Sequence, residues 1–301
     1  QSFPADNTIS QVTRSGLTSL ASIPGLRPAT HFITGQLMVF QRVGGGNIVY
    51  LLGRVTDSSF RIYFPITYLL KTPVPFLILL GMSLLIGLRS QVTTAKFWKK
   101  TPIFYQVLIG LVLWYWIVAI SSNLNLGIRY ILPLVVATEL VVWYILIKHI
   151  PQIPGWRTVR NTCLIWLWVT PLLAFPSYLG YVNDFVGGQR AYQVFVDSNL
   201  DWGQDLYRLV AFTEENNIDT IKLDYFGGGN PQLEYPELFE NLDSREGPQT
   251  GWIAVSATKL QNSRYYQQEF GLEDYWWLYW ETPEATIGNS ILVYYIEPEN
   301  E

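Results

Sequence analysis

"PIFYQVLIGLVLWYWIVAISS" occupies residues 102–122, and "RYILPLVVATELVVWYILIKH" occupies residues 129–149 after the short link "NLNLGI". Each run is almost entirely apolar over about 20 residues, the helix length that crosses the hydrocarbon core of a bilayer. A chain inside lipid must pair its own backbone polar groups, so such runs form helices. The sequence therefore predicts two transmembrane helices joined by a short turn.

Two further apolar runs flank this pair, "FPITYLLKTPVPFLILLGMSLLIGL" at residues 64–88 and "NTCLIWLWVTPLLAFPSYLGY" at residues 161–181. Hydrophobic residues make up 49% of the chain and charged residues only 15%, which is unusual for a soluble protein. Four helices buried in a soluble core are the alternative, but apolar runs this long are seldom buried all round in so small a domain. We expect the helix of the first run to break near Pro73, because proline removes a backbone donor.

The expected fold is a multi-pass α-helical membrane bundle with four spans, followed by a small extracytoplasmic α/β domain. The expected boundaries are an extracytoplasmic loop segment at residues 1–63, a transmembrane region at 64–181 and the α/β domain at 182–301. Basic residues concentrate in two of the short loops, and such loops stay cytoplasmic. They are Arg89, Lys96, Lys99 and Lys100 in one loop and Lys148, Arg157 and Arg160 in the other. We therefore expect an integral plasma (inner) membrane protein with its C-terminal domain outside.

The segment after the last span alternates between strand-like and helix-like patterns. "AYQVFVDS" (191–198) and "TIKLDYF" (220–226) are rich in β-forming residues, and residues 202–217 between them have apolar positions at helical spacing. This pattern predicts a β-α-β unit. Residues 251–260 and 290–298 supply further strands, so a mixed sheet with helices is expected.

Composition also argues against several functions. The chain has one cysteine, Cys163, and two histidines, His31 and His149. These are too few for a disulfide framework or a zinc site. A net charge of −4 gives no reason to expect nucleic acid as a partner, and there is no Asp-x-Asp pair to hold a metal and a nucleotide sugar. We expect no metal and no cofactor.

"DSNLDWGQDL" (197–206) concentrates carboxylates and amides in a short stretch. It could be a helix start, because Ser198 or Asn199 can cap a helix and Asp201 and Asp205 favour its positive end. That interpretation does not explain Gly203 after a tryptophan, because glycine weakens a helix. A turn near the membrane that offers polar groups to a ligand is the other interpretation.

Two cations near the outer ends of predicted spans also have two interpretations each. Arg129 is either a headgroup anchor beside Tyr130 or a bidentate holder of a lipid-linked phosphate. Lys71 is either extended toward the headgroups or directed at a polar ligand. "YWWLYW" (275–280) could stack on sugar rings, although a core or membrane-interface role is favoured.

Several quoted segments occur in a characteristic order: a stretch ending "YLLKTPVP", then "NLNLGIRYILPL", "YVNDFVGG", "DSNLDWGQDL", "YFGGGNP", "VSATKL" and "PEATIGNSILVYYI". Together they resemble the bacterial membrane glycosyltransferases similar to dolichyl-phosphate-mannose protein mannosyltransferases, of the GT-C class (glycosyltransferase family 39-like). The resemblance runs from about Tyr50 to the end of the chain, and "YVNDFVGG" with "DSNLDWGQDL" is its most specific part.

The resemblance implies transfer of a sugar from a polyprenyl-phosphate-linked donor to an acceptor on the outer face of the membrane. It implies that Arg129 holds the donor phosphate and that Lys71 assists. The residues that it implies at the outer face of the cleft are Asp184, Asn199, Asp201, Trp202, Gln204 and Asp205. The implied partners are the polyprenyl-phosphate sugar donor and membrane lipid.

The acidic catalytic motif of that family lies in its first outer loop, which would precede Gln1 here. Asp6 and Asp57 are the acids before the first predicted span, and neither belongs to an acidic pair. We therefore expect the C-terminal part of an enzyme whose catalytic residues lie upstream, with at least one further span there. The alternative is a non-catalytic membrane subunit whose outer domain binds glycan or a protein partner. Either way, an N-terminal half or a partner subunit is expected.

Overall fold

The structure is a computed structural model, and it describes residues 19–23, 25–45, 47–89, 95–149 and 154–298. The chain divides into two compact units, residues 1–46 and residues 47–301. The described part of the first unit contains helix α1 (Arg27–Gly45). Asp6 lies outside the described residues.

The second unit begins with an antiparallel hairpin of β1 (Val49–Leu51) and β2 (Arg54–Thr56). Helices α2 (Tyr63–Lys71) and α3 (Val74–Arg89) follow, with their axes bent by 114°. Thr72 between them is extended, with a ψ of 133°, because Pro73 disfavours helical geometry in the residue before it. The predicted helix break near Pro73 is confirmed.

Four more helices complete the apolar part of the chain. They are α4 (Ala95–Lys100), α5 (Ile103–Ser121), α6 (Leu132–His149) and α7 (Pro154–Ala174). A 3-10 turn, Ile128–Ile131, leads into α6. Helix α6 packs against both α5 and α3, and α7 packs against α3.

Among the described residues, two helical segments are long and apolar enough to cross a membrane, Ile103–Ser121 and Ile128–Lys148. The bent pair α2 and α3 makes a third if the pair is one span. The fourth predicted span, residues 161–181, does not meet this test. Helix α7 starts earlier, in polar turns that carry Arg157 and Arg160, and it ends at Ala174. Its apolar part is therefore short of the about 20 residues that a span needs.

The C-terminal region contains a five-stranded mixed sheet of order β4-β3-β5-β7-β6. Strand β3 (Ile221–Asp224) pairs in parallel with β4 (Phe239–Asn241) and with β5 (Gly251–Ser256). Strand β7 (Ile291–Ile296) pairs antiparallel with β5 and with β6 (Ala285–Ile287). The expected mixed sheet is present.

The helices of this region are α8 (Leu206–Glu215), α9 (Pro231–Glu234) and α10 (Ala257–Phe270). The strand predicted at residues 191–198 is wrong, and with it the first strand of the predicted β-α-β unit. These residues instead contribute to two 3-10 turns, Gly188–Gln193 and Asp197–Asn199. Their apolar side chains are buried in a cluster with the β1–β2 hairpin and α2, and this packing outweighs their preference for strands.

The aromatic stretch at residues 275–280 is divided between core and surface. Tyr275 and Trp277 are buried, whereas Trp276 and Trp280 are exposed, Trp280 at 90% of its surface. The preferred interpretation as core therefore holds for part of the stretch.

Candidate functional site

Asn199 joins the link before α6 to the 3-10 turn at residues 197–199. Its side-chain oxygen accepts a hydrogen bond from the backbone N–H of Ile128 at 2.8 Å, and its side-chain nitrogen donates to the Tyr63 hydroxyl at 3.0 Å. Gly127 has a φ of +88°, and a Cβ there would lie 2.9 Å from the Cβ of Ser198. Glycine is needed at this position because its φ is unfavourable for other residues and because no side chain fits.

Lys71, at the end of α2, points into the same junction. Its ammonium donates to the carbonyl oxygens of Leu179 at 2.7 Å and Asn199 at 2.5 Å. The "KTP" segment and the "DSN" segment are therefore held together by one cation. These contacts show that Lys71 positions backbone, and one of its three donors is left for another partner.

Asn183 satisfies the carbonyl groups that the helix break leaves unpaired. Its side-chain nitrogen donates to the carbonyls of Leu69 at 2.7 Å and Thr72 at 2.9 Å, and its backbone N–H donates to Leu70 at 2.8 Å. Carbonyls freed at a helix end need such partners when buried. Asn183 lies in the "YVND" segment, and no sequence signal marked it as distinct from its neighbour Asp184.

Residues 200–205 form a loop that separates Ser198 and Asn199 from helix α8, so neither of them caps that helix as the helix-start interpretation expects. The Asp201 side chain accepts a hydrogen bond from the Gly203 N–H at 2.8 Å, as in an Asx turn. The Gln204 side chain accepts one from the Trp202 N–H at 2.8 Å. Helix α8 begins at Leu206, and Asp205 at its N-cap makes no side-chain capping bond.

The backbone geometry and close packing at position 203 explain why a glycine follows Trp202. Its φ is +82°, and a Cβ there would lie 2.1 Å from the Tyr225 hydroxyl and 2.8 Å from the Cα of Gly227. The same hydroxyl donates to the Gly203 carbonyl at 2.7 Å. The loop therefore packs directly on the "YFGGG" turn that leaves β3.

Asp201 is fully buried beneath this loop. The pKa of its carboxyl is raised to about 7, chiefly by burial and also by the neighbouring charges of Asp205 and Asp197, although the hydrogen bond from the Gly203 N–H lowers it. One of its two oxygens, Oδ2, has no hydrogen-bond partner among the described residues. Asp201 therefore gains a proton close to neutral pH.

Asp205 is also fully buried, and it binds three side chains. It accepts hydrogen bonds from Ser290 at 2.6 Å and Gln204 at 2.9 Å, and it forms an ion pair with Arg208 at 2.6 Å. Burial raises the pKa of Asp205 although all three partners lower it. Asp205 thus links α8 to the "GNS" turn before β7.

Arg129 and Trp202 meet at the surface of this junction. The guanidinium carbon of Arg129 lies 4.7 Å from the centroid of the Trp202 ring and 5.4 Å from that of Tyr130. Arg129 is exposed, and Trp202 exposes 49% of its surface. Within the described ranges the guanidinium forms no hydrogen bond and no ion pair. Its donors are therefore open to an anionic ligand, while its plane is fixed by aromatic rings.

Asp184 is not part of this cluster. It is exposed and lines a separate cavity of about 310 Å³ at the end of α7, with Trp166, Tyr181 and Asn289. Of the residues implied by the resemblance, Lys71, Arg129, Asn199, Asp201, Trp202, Gln204 and Asp205 belong to one connected junction.

Sequence patterns did not single out four residues that hold the junction together: Tyr63, Asn183, Tyr225 and Ser290. Each is an ordinary polar residue whose partner is distant in the chain, so no local pattern identifies it. Nowhere in the described ranges do three His, Cys, Asp or Glu side chains come close enough to hold a metal ion.

Chemically, the junction offers an accessible cation on an aromatic support, and it also contains two buried carboxylates. An arginine in this arrangement binds a phosphate or a carboxylate through two parallel hydrogen bonds. The carboxylates of Asp201 and Asp205 have no exposed surface, so in this conformation neither reaches a ligand.

Comparisons of the chain with protein-family models, with curated proteins and with solved structures find no match.

Proposed function

We propose that the chain is the donor-binding, C-terminal part of a membrane glycosyltransferase. In this proposal the enzyme transfers a sugar from a polyprenyl-phosphate-linked donor to an acceptor on the outer face of the membrane. The observation that carries the proposal is the exposed Arg129 guanidinium, which starts an apolar helix and stacks 4.7 Å from the ring centroid of Trp202.

The position of Arg129 suits a phosphate on a lipid chain. The residue lies at the first turn of Ile128–Lys148, a helix apolar enough to cross a membrane. A polyprenyl chain in the bilayer would place its phosphate at the same depth, and a low dielectric there strengthens the ionic contact. Trp202 and Tyr130 hold the guanidinium, so less rotamer freedom is lost on binding.

Lys71 has a secondary role in this proposal. Its ammonium is held by the carbonyls of Leu179 and Asn199, and Asn199 also binds the backbone N–H of Ile128 next to Arg129. Lys71 therefore acts mainly by fixing the segment that carries Arg129. Its remaining N–H donor and its positive charge contribute to binding of the phosphate.

The proposal includes four membrane helices, of which the fourth is α7 despite its short apolar part, and it places the C-terminal region outside. The basic residues of the α4 end and the α6 end lie together, since the Lys148 ammonium donates to the Lys100 carbonyl at 3.1 Å. Basic residues at one end of a bundle favour the cytoplasmic side for that end. The Arg129 junction, at the opposite end of α6, is then extracytoplasmic.

The general base for the acceptor hydroxyl comes from outside this chain in our proposal. Asp201 and Asp205 are fully buried, whereas a base must come within hydrogen-bond reach of the acceptor. An upstream segment or a partner subunit would supply it. A junction whose carboxylates are buried is equally compatible with the second candidate, a non-catalytic subunit that only holds the lipid-linked donor or a glycan.

A binding measurement tests the donor site without needing the rest of the enzyme. The purified chain in detergent is titrated with a polyprenyl monophosphate and, separately, with the neutral polyprenol. We expect saturable binding of the phosphate only, with at least about tenfold weaker binding in Arg129→Ala. Arg190→Ala is the matched control, because Arg190 is an exposed arginine elsewhere in the same region. Equal binding by Arg129→Ala and the control would refute the site.

A further inference from the structure

A second cavity, of about 380 Å³, lies in the C-terminal sheet region. It shares no lining residue with the Arg129 junction. Its polar lining includes Asp224, Asp243, Arg245, Lys259 and Asn262, and Tyr266 is exposed beside them. A volume of this size falls within the range of about 300–1,000 Å³ that is typical of small-molecule sites.

The topology of the sheet places this cavity where such folds bind ligands. Asp224 and Asn241, which both line it, end the parallel strands β3 and β4. Strand β3 lies between β4 and β5 in the sheet. The chain leaves β3 toward β4 on one side, whereas it leaves β5 through α10 toward β6 and β7 on the other side. A crevice outside the carboxyl ends of neighbouring strands whose connections diverge is the usual binding place of open α/β sheets.

The charges in the cavity are already paired. Lys259 forms an ion pair with Asp224 at 3.1 Å, and Asp224 also accepts from the Tyr275 hydroxyl at 2.8 Å. The Arg245 Nε donates to both oxygens of Asp243, at 2.9 and 3.0 Å. Glu273 adds one more carboxylate to the lining. An anionic ligand would meet neutralised cations and an excess of negative charge, so a phosphate is disfavoured.

Asn262 supplies an acceptor that no protein group uses. Its side-chain oxygen is buried and lacks a hydrogen-bond partner within the described part of the chain. A buried polar atom without a partner is uncommon and is satisfied when a ligand or water donates to it. Its amide nitrogen likewise makes no hydrogen bond with a described residue, so neither end of the amide has a partner in the described part of the chain.

We infer that this cavity is a saccharide-binding site of the sheet region. A carboxylate that is already in an ion pair still has lone pairs that accept hydrogen bonds, and its ammonium or guanidinium partner still has N–H groups that donate them. These groups can bind the hydroxyls of a neutral sugar. Tyr266 and Leu272 give the cavity an apolar wall, and an aromatic face packs well on the apolar face of a sugar ring. The site does not depend on the proposed donor site, because the two sets of residues do not overlap.

The test is titration of the purified full chain with D-glucose, D-mannose, N-acetyl-D-glucosamine and maltose, followed by saturation-transfer NMR. The detergent must have no sugar headgroup, because such a headgroup would compete. We expect at least one of these saccharides to bind saturably in the millimolar range. Asn262→Ala should weaken this binding about tenfold without lowering the melting temperature, since it removes no internal hydrogen bond. Lys259→Met should weaken it as well.

Gln268→Ala is the matched control, because Gln268 is an exposed amide on the same helix outside the cavity. Arg129→Ala should bind the saccharide normally, which separates this site from the donor site. The inference is overturned if none of the four saccharides binds, if inorganic phosphate binds in their place, or if Asn262→Ala binds like the unaltered chain. Loss of binding only in Trp280→Ala would assign the sugar to the exposed aromatic stretch and would also overturn it.

Discussion

The Arg129 guanidinium stacks on the Trp202 ring, with 4.7 Å between the guanidinium carbon and the ring centroid. Arg129 starts a candidate membrane helix, and Trp202 belongs to the loop before α8. The helix and the loop therefore present one combined surface. A change in the loop should alter how the arginine binds its ligand.

Trp202→Leu should weaken polyprenyl phosphate binding by the chain about two- to fivefold, because an exposed cation–π contact contributes about 0.5–1 kcal/mol. Trp202→Phe should lose less than Trp202→Leu, since a smaller aromatic face remains. Titration with the lipid phosphate measures both variants. Trp280→Leu, at another exposed tryptophan, is the control, and an equal loss there would show that tryptophan removal acts nonspecifically.

Lys71→Met should lower the stability of the chain by about 3–6 kcal/mol. The substitution removes two charge-assisted hydrogen bonds, to Leu179 and Asn199, and such bonds contribute about 1.5–3 kcal/mol each. Thermal unfolding in detergent measures the effect, with the exposed Lys99 changed to Met as the control. An unchanged melting temperature together with lost phosphate binding would contradict the positioning role and assign Lys71 to the ligand.

Gly203→Ala should destabilise the chain by about 2–4 kcal/mol, because a side chain at φ +82° is strained and its Cβ would overlap the Tyr225 hydroxyl. Gly228→Ala is a matched control, since a Cβ at Gly228 meets nothing within 4 Å. Comparison of their melting temperatures checks the prediction. Equal melting temperatures would mean that the loop rearranges at little cost.

Asp201→Asn should change how stability depends on pH. Burial raises the pKa of Asp201 to about 7, so between about pH 4 and pH 7 the folded chain keeps a proton that the unfolded chain releases. Asp201 therefore makes the folded state progressively less stable as the pH rises through this window. Asparagine does not titrate, so the variant should gain stability relative to the unaltered chain from pH 4 to pH 7 and then level off.

Thermal unfolding of both proteins at several pH values measures this difference. Asp219→Asn, at an exposed aspartate, serves as the control. Parallel curves for Asp201→Asn and the unaltered chain would mean that the buried carboxyl does not hold its proton.

The apolar helices and the break near Pro73 follow from the sequence because their causes are local. An apolar run of sufficient length and a proline act on neighbouring residues alone. The same holds for the strand at 291–296, which is rich in β-branched and aromatic residues.

Distant contacts decide the features that the sequence did not reveal. The β-forming residues at 191–198 lie in 3-10 turns because Phe195 and its neighbours fill a cluster with Tyr50 and Tyr63. The loop at Gly203 depends on Tyr225, and the position of Arg129 depends on Trp202 and Asn199. The sequence motifs singled out Lys71, Arg129 and residues of the stretch at 197–206, but they contain no information about which of these residues touch.

The bracing of the helix break by Asn183 has a consequence for how the chain is made. The Asn183 side chain reaches the carbonyl of Leu69, 114 residues earlier in the chain. At about 5–20 residues per second, a ribosome needs roughly 6–23 s to travel between the two. During that interval the bend at Thr72 has no permanent partner for its carbonyls, so water, lipid headgroups or the insertion machinery must shield them. In the proposed membrane protein, the nascent chain is therefore most vulnerable to misinsertion after the bent helix pair has been synthesised and before Asn183 emerges.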